Sequence, residues 1–146
     1  MSRLFVMLLI VGSIAMPLSA QSITVRLLDG KTGKPIADKN ITVRWDSDRT
    51  IGGTVVRIGK DGTGHVDVPR NATGFLLMEG PKGGSESNRL AYSDCNVRVG
   101  PYNSVSDVLS HGVVPGNTCS KKAVISEPGV IVFWGLTRRW YELDMQ

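Results

Sequence analysis

Residues 23–69 read ITVRLLDGKTGKPIADKNITVRWDSDRTIGGTVVRIGKDGTGHVDVP, and this stretch decides the fold. Ile23, Val25 and Leu27 alternate with Thr24 and Arg26, and Ile41, Val43 and Trp45 alternate with Asn40, Thr42 and Arg44. A period of two marks strands with one face buried and the other in water. Between these runs, Gly33, Lys34, Pro35 and Ile36 force a turn, because glycine permits positive φ while proline presets φ and lacks a donor. A third strand is expected over Thr54 to Ile58. The turn from Asp61 to Gly64 then sends Val66 and Val68 to one face and His65 and Asp67 to the other. Pro69 ends that strand, since it cannot donate to a ladder.

Gly74 to Met78 supplies a fifth strand, followed by a polar, glycine-rich loop from Gly80 to Asn88, and Leu90 to Val99 is a candidate sixth. The pattern changes at Ser104, which can cap the amides of a short helix. Val105, Val108 and Leu109 share one side of that helix, and Gly112 is placed to end it. Pro128 and Gly129 open a last strand, Val130 to Leu136, whose nearly unbroken hydrophobicity predicts a central position. Residues 137–146 form a charged, aromatic tail.

At the other end, Arg3 precedes the apolar run Leu4 to Val11, and Ser19-Ala20 offers small residues for cleavage. This reads as a secretory signal over residues 1–20, cut after Ala20, with Ser19 and Gln21 as alternatives. The run falls short of the roughly 20 residues a spanning helix needs, so no membrane span is expected after cleavage. Without a cysteine behind the signal, no lipoprotein anchor is expected. Loss of Arg3 would lower the formal net charge from +4 to +3. Only Lys121-Lys122 and Arg138-Arg139 pair basic residues, which argues against nucleic acid as a partner. The expected location is secreted or periplasmic. There, the two cysteines, Cys95 and Cys119, are expected to form a disulfide worth roughly 3–4 kcal/mol on the chain-entropy argument.

In order and spacing, Ile23 to Ile36, the strand Ile41 to Arg44 and the element Gly59 to Pro69 resemble the carboxypeptidase regulatory-like domain. The shared features are a glycine-proline turn after the first strand and a D-x-x-G-x-hydrophobic-x-hydrophobic-P element. The resemblance implies an all-β, antiparallel, seven- to eight-stranded Greek-key β-sandwich of the prealbumin-like (transthyretin-like) kind over residues 21–136, with one short helix near 104–111. It also implies no catalytic residues. The second half, with Asp94-Cys95, Tyr102 to Leu109, Gly112 to Pro115, Asn117 to Cys119 and Pro128 to Phe133, resembles small bacterial secreted proteins. A hydrolase branch of purine breakdown shares the fold but relies on several histidines and a tyrosine-arginine-glycine-serine motif. This chain has His65 and His111 only, and Glu142 to Gln146 does not carry that motif.

The remaining chemistry-bearing residues are read as structural. Asp107, Ser110 and His111 share the expected helix, but adjacent helical residues point about 100° apart, so His111 cannot easily serve Ser110. An i,i+4 pair between Asp107 and His111 is the better reading. His65 and Asp67 share a strand face about 7 Å apart and lack a third ligand. Asp46-Ser47-Asp48 misses the glycine and glutamate of a calcium loop, and Gly80 to Ser85 misses the phosphate-loop spacing. Asn40-Ile41-Thr42 and Asn71-Ala72-Thr73 match the glycosylation pattern, and the resemblance to bacterial secreted proteins implies that these are chance matches. No cofactor or metal is therefore expected.

Trp45 is assigned to the core. Phe133 and Trp134 point to opposite faces of the last strand, which allows one of them to be exposed. Trp134, Arg138, Arg139, Trp140 and Tyr141 form the candidate binding surface, with edge covering as the competing role for the tail. The sequence thus reads as an exported, non-enzymatic β-sandwich with an accessory or binding role, its partner a cell-envelope protein or a glycan. The alternatives are a carbohydrate- or peptide-binding module using exposed aromatics and, behind it, an unrecognised hydrolase.

Overall fold

The computed structural model describes residues 21–47, 53–79, 90–91, 95–96 and 102–137. Strands β1 (Ser22–Asp29), β2 (Asn40–Trp45), β3 (Thr54–Arg57), β4 (Thr63–Asp67), β5 (Gly74–Glu79), β6 (Leu90–Ala91) and β7 (Asn103–Ser104) precede helix α1 (Val105–His111) and strand β8 (Val130–Thr137). They form two sheets, ordered β4-β1-β8-β6 and β3-β2-β5-β7. The chain is thus mostly β with one short helix, as expected. One feature departs from an all-antiparallel sandwich: β1 and β8 run parallel, Thr24 opposite Val130 and Asp29 opposite Gly135.

The physical reason lies in residues 112–129. Gly112 ends α1 at the end of the sandwich where β1 begins, with its N–H donating to Val108 at 2.9 Å. From there the chain climbs through Val113, which bridges Ile131, to Asn117 beside Gly30 near the end of β1. It then descends to Glu127, whose carbonyl accepts from Val130 at 3.0 Å. This up-and-down excursion returns the chain to its starting end, so β8 must run upward, parallel to β1.

The main core lies between the sheets. Ile23, Val25 and Leu27 meet Ile41, Val43 and Trp45 there, with Val56, Ile58, Phe75, Ile131 and Phe133. The period of two therefore selected the right faces. Val105 and Val108 of α1 close one end of this core, and Ser104 caps the helix by accepting from the Asp107 N–H. Ring centroids of Trp45 and Phe75 lie 5.2 Å apart at an interplanar angle of 57°, a tilted aromatic contact.

A second, smaller core covers the outer face of the first sheet. Leu28, Cys95, Val132 and Trp134 are buried there, with Val114, Cys119, Val124 and Leu136 packed on them. Burial on both faces is why β8 reads as continuously apolar. The Cys95–Cys119 disulfide, formed as expected, fastens this covering. Gly30 lies directly beneath it, where a Cβ would sit 2.8 Å from the Cys95 sulfur.

The far edge of β8 is satisfied by three different partners. Val113 accepts from Val132 and donates to Val130, both at 2.9 Å. The Asn96 side chain serves Trp134, and β6 pairs at Leu136 and Thr137. Of the expected sixth strand, only Leu90–Ala91 and the Asn96–Asn117 bridge fall among the described residues. Residues 1–20, where a signal is expected, residues 80–89 and the tail from Arg138 onward lie outside them. No helix among the described residues is long and apolar enough to cross a membrane.

Candidate functional site

Trp134 is a correction to the expected binding surface. It points to the opposite face from Phe133, as alternation requires, but that face is covered: Trp134 is 1% exposed. Its indole Nε1–H donates to the Pro115 carbonyl at 2.9 Å. The covering segment is irregular, so no periodicity announced it. The other members of that surface, Arg138, Arg139, Trp140 and Tyr141, lie outside the described residues.

The helix residues do not assemble. The Ser110 hydroxyl donates to the Ser106 carbonyl of its own helix. Asp107 stands in the first turn and His111 in the last, both exposed, and among the described residues no hydrogen bond or ion pair joins them. On the outer face of the first sheet, His65 Nδ1 meets the Thr24 hydroxyl at 3.1 Å. No group of three or more His, Cys, Asp or Glu among the described residues is placed to hold a metal ion.

A site does form where the second sheet meets α1, and its residues come from three segments. β2 ends at Trp45, opposite Phe75 of β5, so Asp46 lies beside Thr73 and Gly74. The Asp46 N–H donates to the Gly74 carbonyl at 2.9 Å. In return, the Thr73 N–H and hydroxyl donate to the Asp46 carboxylate at 3.0 and 2.5 Å. The Thr73 hydroxyl bond, with help from backbone amides, holds the Asp46 carboxyl below the usual carboxylate range. Pairing of Gly74 with Ser104 brings in Tyr102 and Asn103.

These residues line an open cleft of ≈ 340 Å³: Asp46, Thr73, Gly74, Tyr102, Asn103 and Ser104. Gly74 keeps the floor low, since a Cβ there would lie 3.2 Å from the Asn103 carbonyl oxygen and 3.7 Å from an Asp46 carboxylate oxygen. Tyr102 stands 57% exposed at the rim. The lining thus combines an ionised acceptor, hydroxyls, a carboxamide and one aromatic ring. Such a set can hydrogen-bond a hydroxyl-rich ligand while the ring packs against its apolar face.

Sequence reasoning passed over this cleft. Asp46 read as part of a turn, and Tyr102 entered only within a run resembling other secreted proteins. The β2–β5 pairing that unites them joins strands separated by β3 and β4, a relation no local pattern encodes. No protein-family model matches the chain, and neither a curated protein nor a solved structure matches it.

Proposed function

We propose that the chain is an exported, non-catalytic β-sandwich of the carboxypeptidase regulatory-like, prealbumin-like kind. It serves as a binding module in the periplasm or outside the cell and takes a glycan into the cleft beneath Tyr102. The observation that carries this reading is the exposed Tyr102 ring beside an Asp46 carboxylate held in place by Thr73. Two-sheet architecture and the Cys95–Cys119 disulfide support the module and its oxidising destination. The dispersal of Ser110, His65 and His111 to separate partners or open surface supports a binding role over hydrolysis.

A glycan array probed with the parent chain and with Tyr102→Ala tests the reading. The parent should retain a defined set of saccharides, and the variant should bind them about tenfold more weakly or worse, as expected for loss of an aromatic anchor. A blank array for the parent, or undiminished binding by Tyr102→Ala, would overturn it.

A further inference from the structure

β1 holds two neighbours at once, β4 antiparallel on one side and β8 parallel on the other, and gives Ile23, Val25 and Leu27 to the main core. Its first ladder bond falls one residue before the strand itself: the Gln21 carbonyl accepts from the Val68 N–H at 2.8 Å. The fold therefore uses the chain from Gln21 onward. Only the carbonyl of that residue is engaged. Gln21 is exposed, and among the described residues neither its backbone nitrogen nor its side-chain carboxamide has a hydrogen-bond partner.

On the export reading proposed above, on which this step rests, cleavage after Ala20 makes Gln21 the first residue of the exported chain. Its α-amine and its unbonded carboxamide then belong to one residue, and a five-membered ring closes when the nitrogen attacks Cδ. Such intramolecular attack is strongly favoured over reaction between separate molecules. We infer that the exported chain carries a pyroglutamate at position 21. One bond forms, between the α-nitrogen and Cδ, and one breaks, between Cδ and Nε2. The proton given up by the amine leaves with the departing ammonia, so no oxidant, reductant or co-reactant enters. The nucleophile is the neutral amine, and an α-amino group titrates close enough to neutral pH for part of it to be in that form.

The ladder does not oppose the ring. The Gln21 carbonyl takes no part in the closure, so Val68 keeps its acceptor and the terminus stays tied to the sheet. Closure removes the terminal positive charge and, with it, the primary amine that an aminopeptidase grips. Trimming from this end would remove the acceptor of Val68 first, then Ser22 and Ile23, which pair with Asp67 and Val66. The lactam thus guards the strand between β4 and β8. The alternative cuts, after Ser19 or Gln21, would start the chain at Ala20 or Ser22, and neither residue can form the ring.

Expression of the full chain in a secreting bacterial host, followed by mass spectrometry of the N-terminal peptide of the exported protein, tests the inference. The peptide should begin at position 21 and, after prolonged warm incubation at neutral pH, be lighter than its glutamine form by one ammonia. Pyroglutamyl peptidase should then leave a peptide beginning at Ser22. Gln21→Ser should be exported, melt at the temperature of the parent and keep an unblocked terminus, since the substitution leaves the backbone carbonyl in place. A peptide that begins at position 21 with its glutamine intact after the incubation would overturn the inference and leave export standing, as would a terminus at Ala20 or Ser22 before the peptidase is added. A block that resists the peptidase, or that persists in Gln21→Ser, would overturn it as well. A chain that retains residues 1–20 would overturn both the inference and the export reading.

Discussion

The side chain of Asn96 completes the backbone hydrogen bonding of Trp134: its Nδ2–H donates to the Trp134 carbonyl at 2.8 Å and its Oδ1 accepts from the Trp134 N–H at 2.9 Å. A carboxamide has one donor face and one acceptor face, so it can copy what a neighbouring strand would offer. Cys95 next to it is held by the disulfide, which fixes the amide in place. Asn96→Ala would leave two backbone groups of a buried strand residue without partners. A loss of about 1–3 kcal/mol is expected for an unsatisfied buried group. Asn96→Asp should also fail, because a carboxylate cannot donate to the carbonyl. Urea unfolding midpoints of the three proteins check this.

The two buried tryptophans should respond differently to the same substitution. Trp45 is 3% exposed, and its Nε1–H has no partner among the described residues, whereas the Trp134 Nε1–H bonds Pro115. Trp45→Phe removes an unsatisfied donor along with some ring volume, while Trp134→Phe strands a carbonyl. Trp134→Phe should therefore cost more than Trp45→Phe by about 1 kcal/mol. Truncation of Trp45 to Ala should cost about 3–5 kcal/mol. Equal midpoints for the two Phe variants would show that the indole–Pro115 bond contributes nothing.

These residues also show where the sequence was legible. Ile23, Val25 and Leu27, and Ile41, Val43 and Trp45, declared their shared core by alternation because the faces they leave behind are polar. The helix cap at Ser104 and its end at Gly112 were equally readable, since capping chemistry is local. Trp134 was misjudged because a strand pattern gives the face of a side chain but not what covers that face. Its cover comes from residues 113–124, which have no period, and from the disulfide, whose consequence depends on where Gly30 lies. The Tyr102 cleft was hidden for a related reason: Asp46, Thr73 and Tyr102 meet only through β2–β5 and β5–β7 pairing.

Reduction of the disulfide should loosen the outer core before the main one. The bond closes a chain separation of 24 residues, for which the chain-entropy argument gives about 3–4 kcal/mol. Cys95 is fully buried among Leu28, Val132 and Trp134. A Cys95→Ser, Cys119→Ser chain should lose amide-exchange protection around Val132 and Trp134 first, with Ile41 and Val43 protected longer. Uniform loss across both sheets would indicate a single cooperative core.

Acid should destabilise the fold through three carboxylates. Glu127 is held below the usual carboxylate range by its hydrogen bond and ion pair with Arg26 at 2.8 Å, Asp61 by Thr63, and Asp46 by Thr73. With folded values depressed, the unfolded chain binds more protons in the acid range, so stability rises with pH there. The contribution is complete above the ordinary carboxylate values near pH 4 and fades as pH falls through the depressed ones. Melting temperature should be flat from about pH 7 to 5 and drop below about pH 4. All three groups are exposed, so the drop should be small, and Glu127→Gln should reduce it further.

Gly112 and Gly129 provide a paired test of the hinge between α1, the covering segment and β8. Both have positive φ, 72° and 78°, so an alanine at either carries a backbone cost of roughly 1–3 kcal/mol. Their surroundings differ. A Cβ on Gly112 would come within 2.1 Å of the Glu127 carbonyl oxygen, whereas one on Gly129 would meet nothing within 4 Å. The Glu127 carbonyl cannot retreat freely, because it accepts from the Val130 N–H at the start of β8. Gly129 is also tied to the helix, its N–H donating to the Val108 carbonyl at 2.7 Å, but a methyl group leaves that bond intact. Gly112→Ala should therefore exceed Gly129→Ala by about 1–3 kcal/mol, the usual cost of forced overpacking. Chemical denaturation of the two single variants measures the difference directly. Equal losses would mean that the Glu127 segment yields without disturbing β8, and that the parallel entry of β8 beside β1 does not depend on this contact.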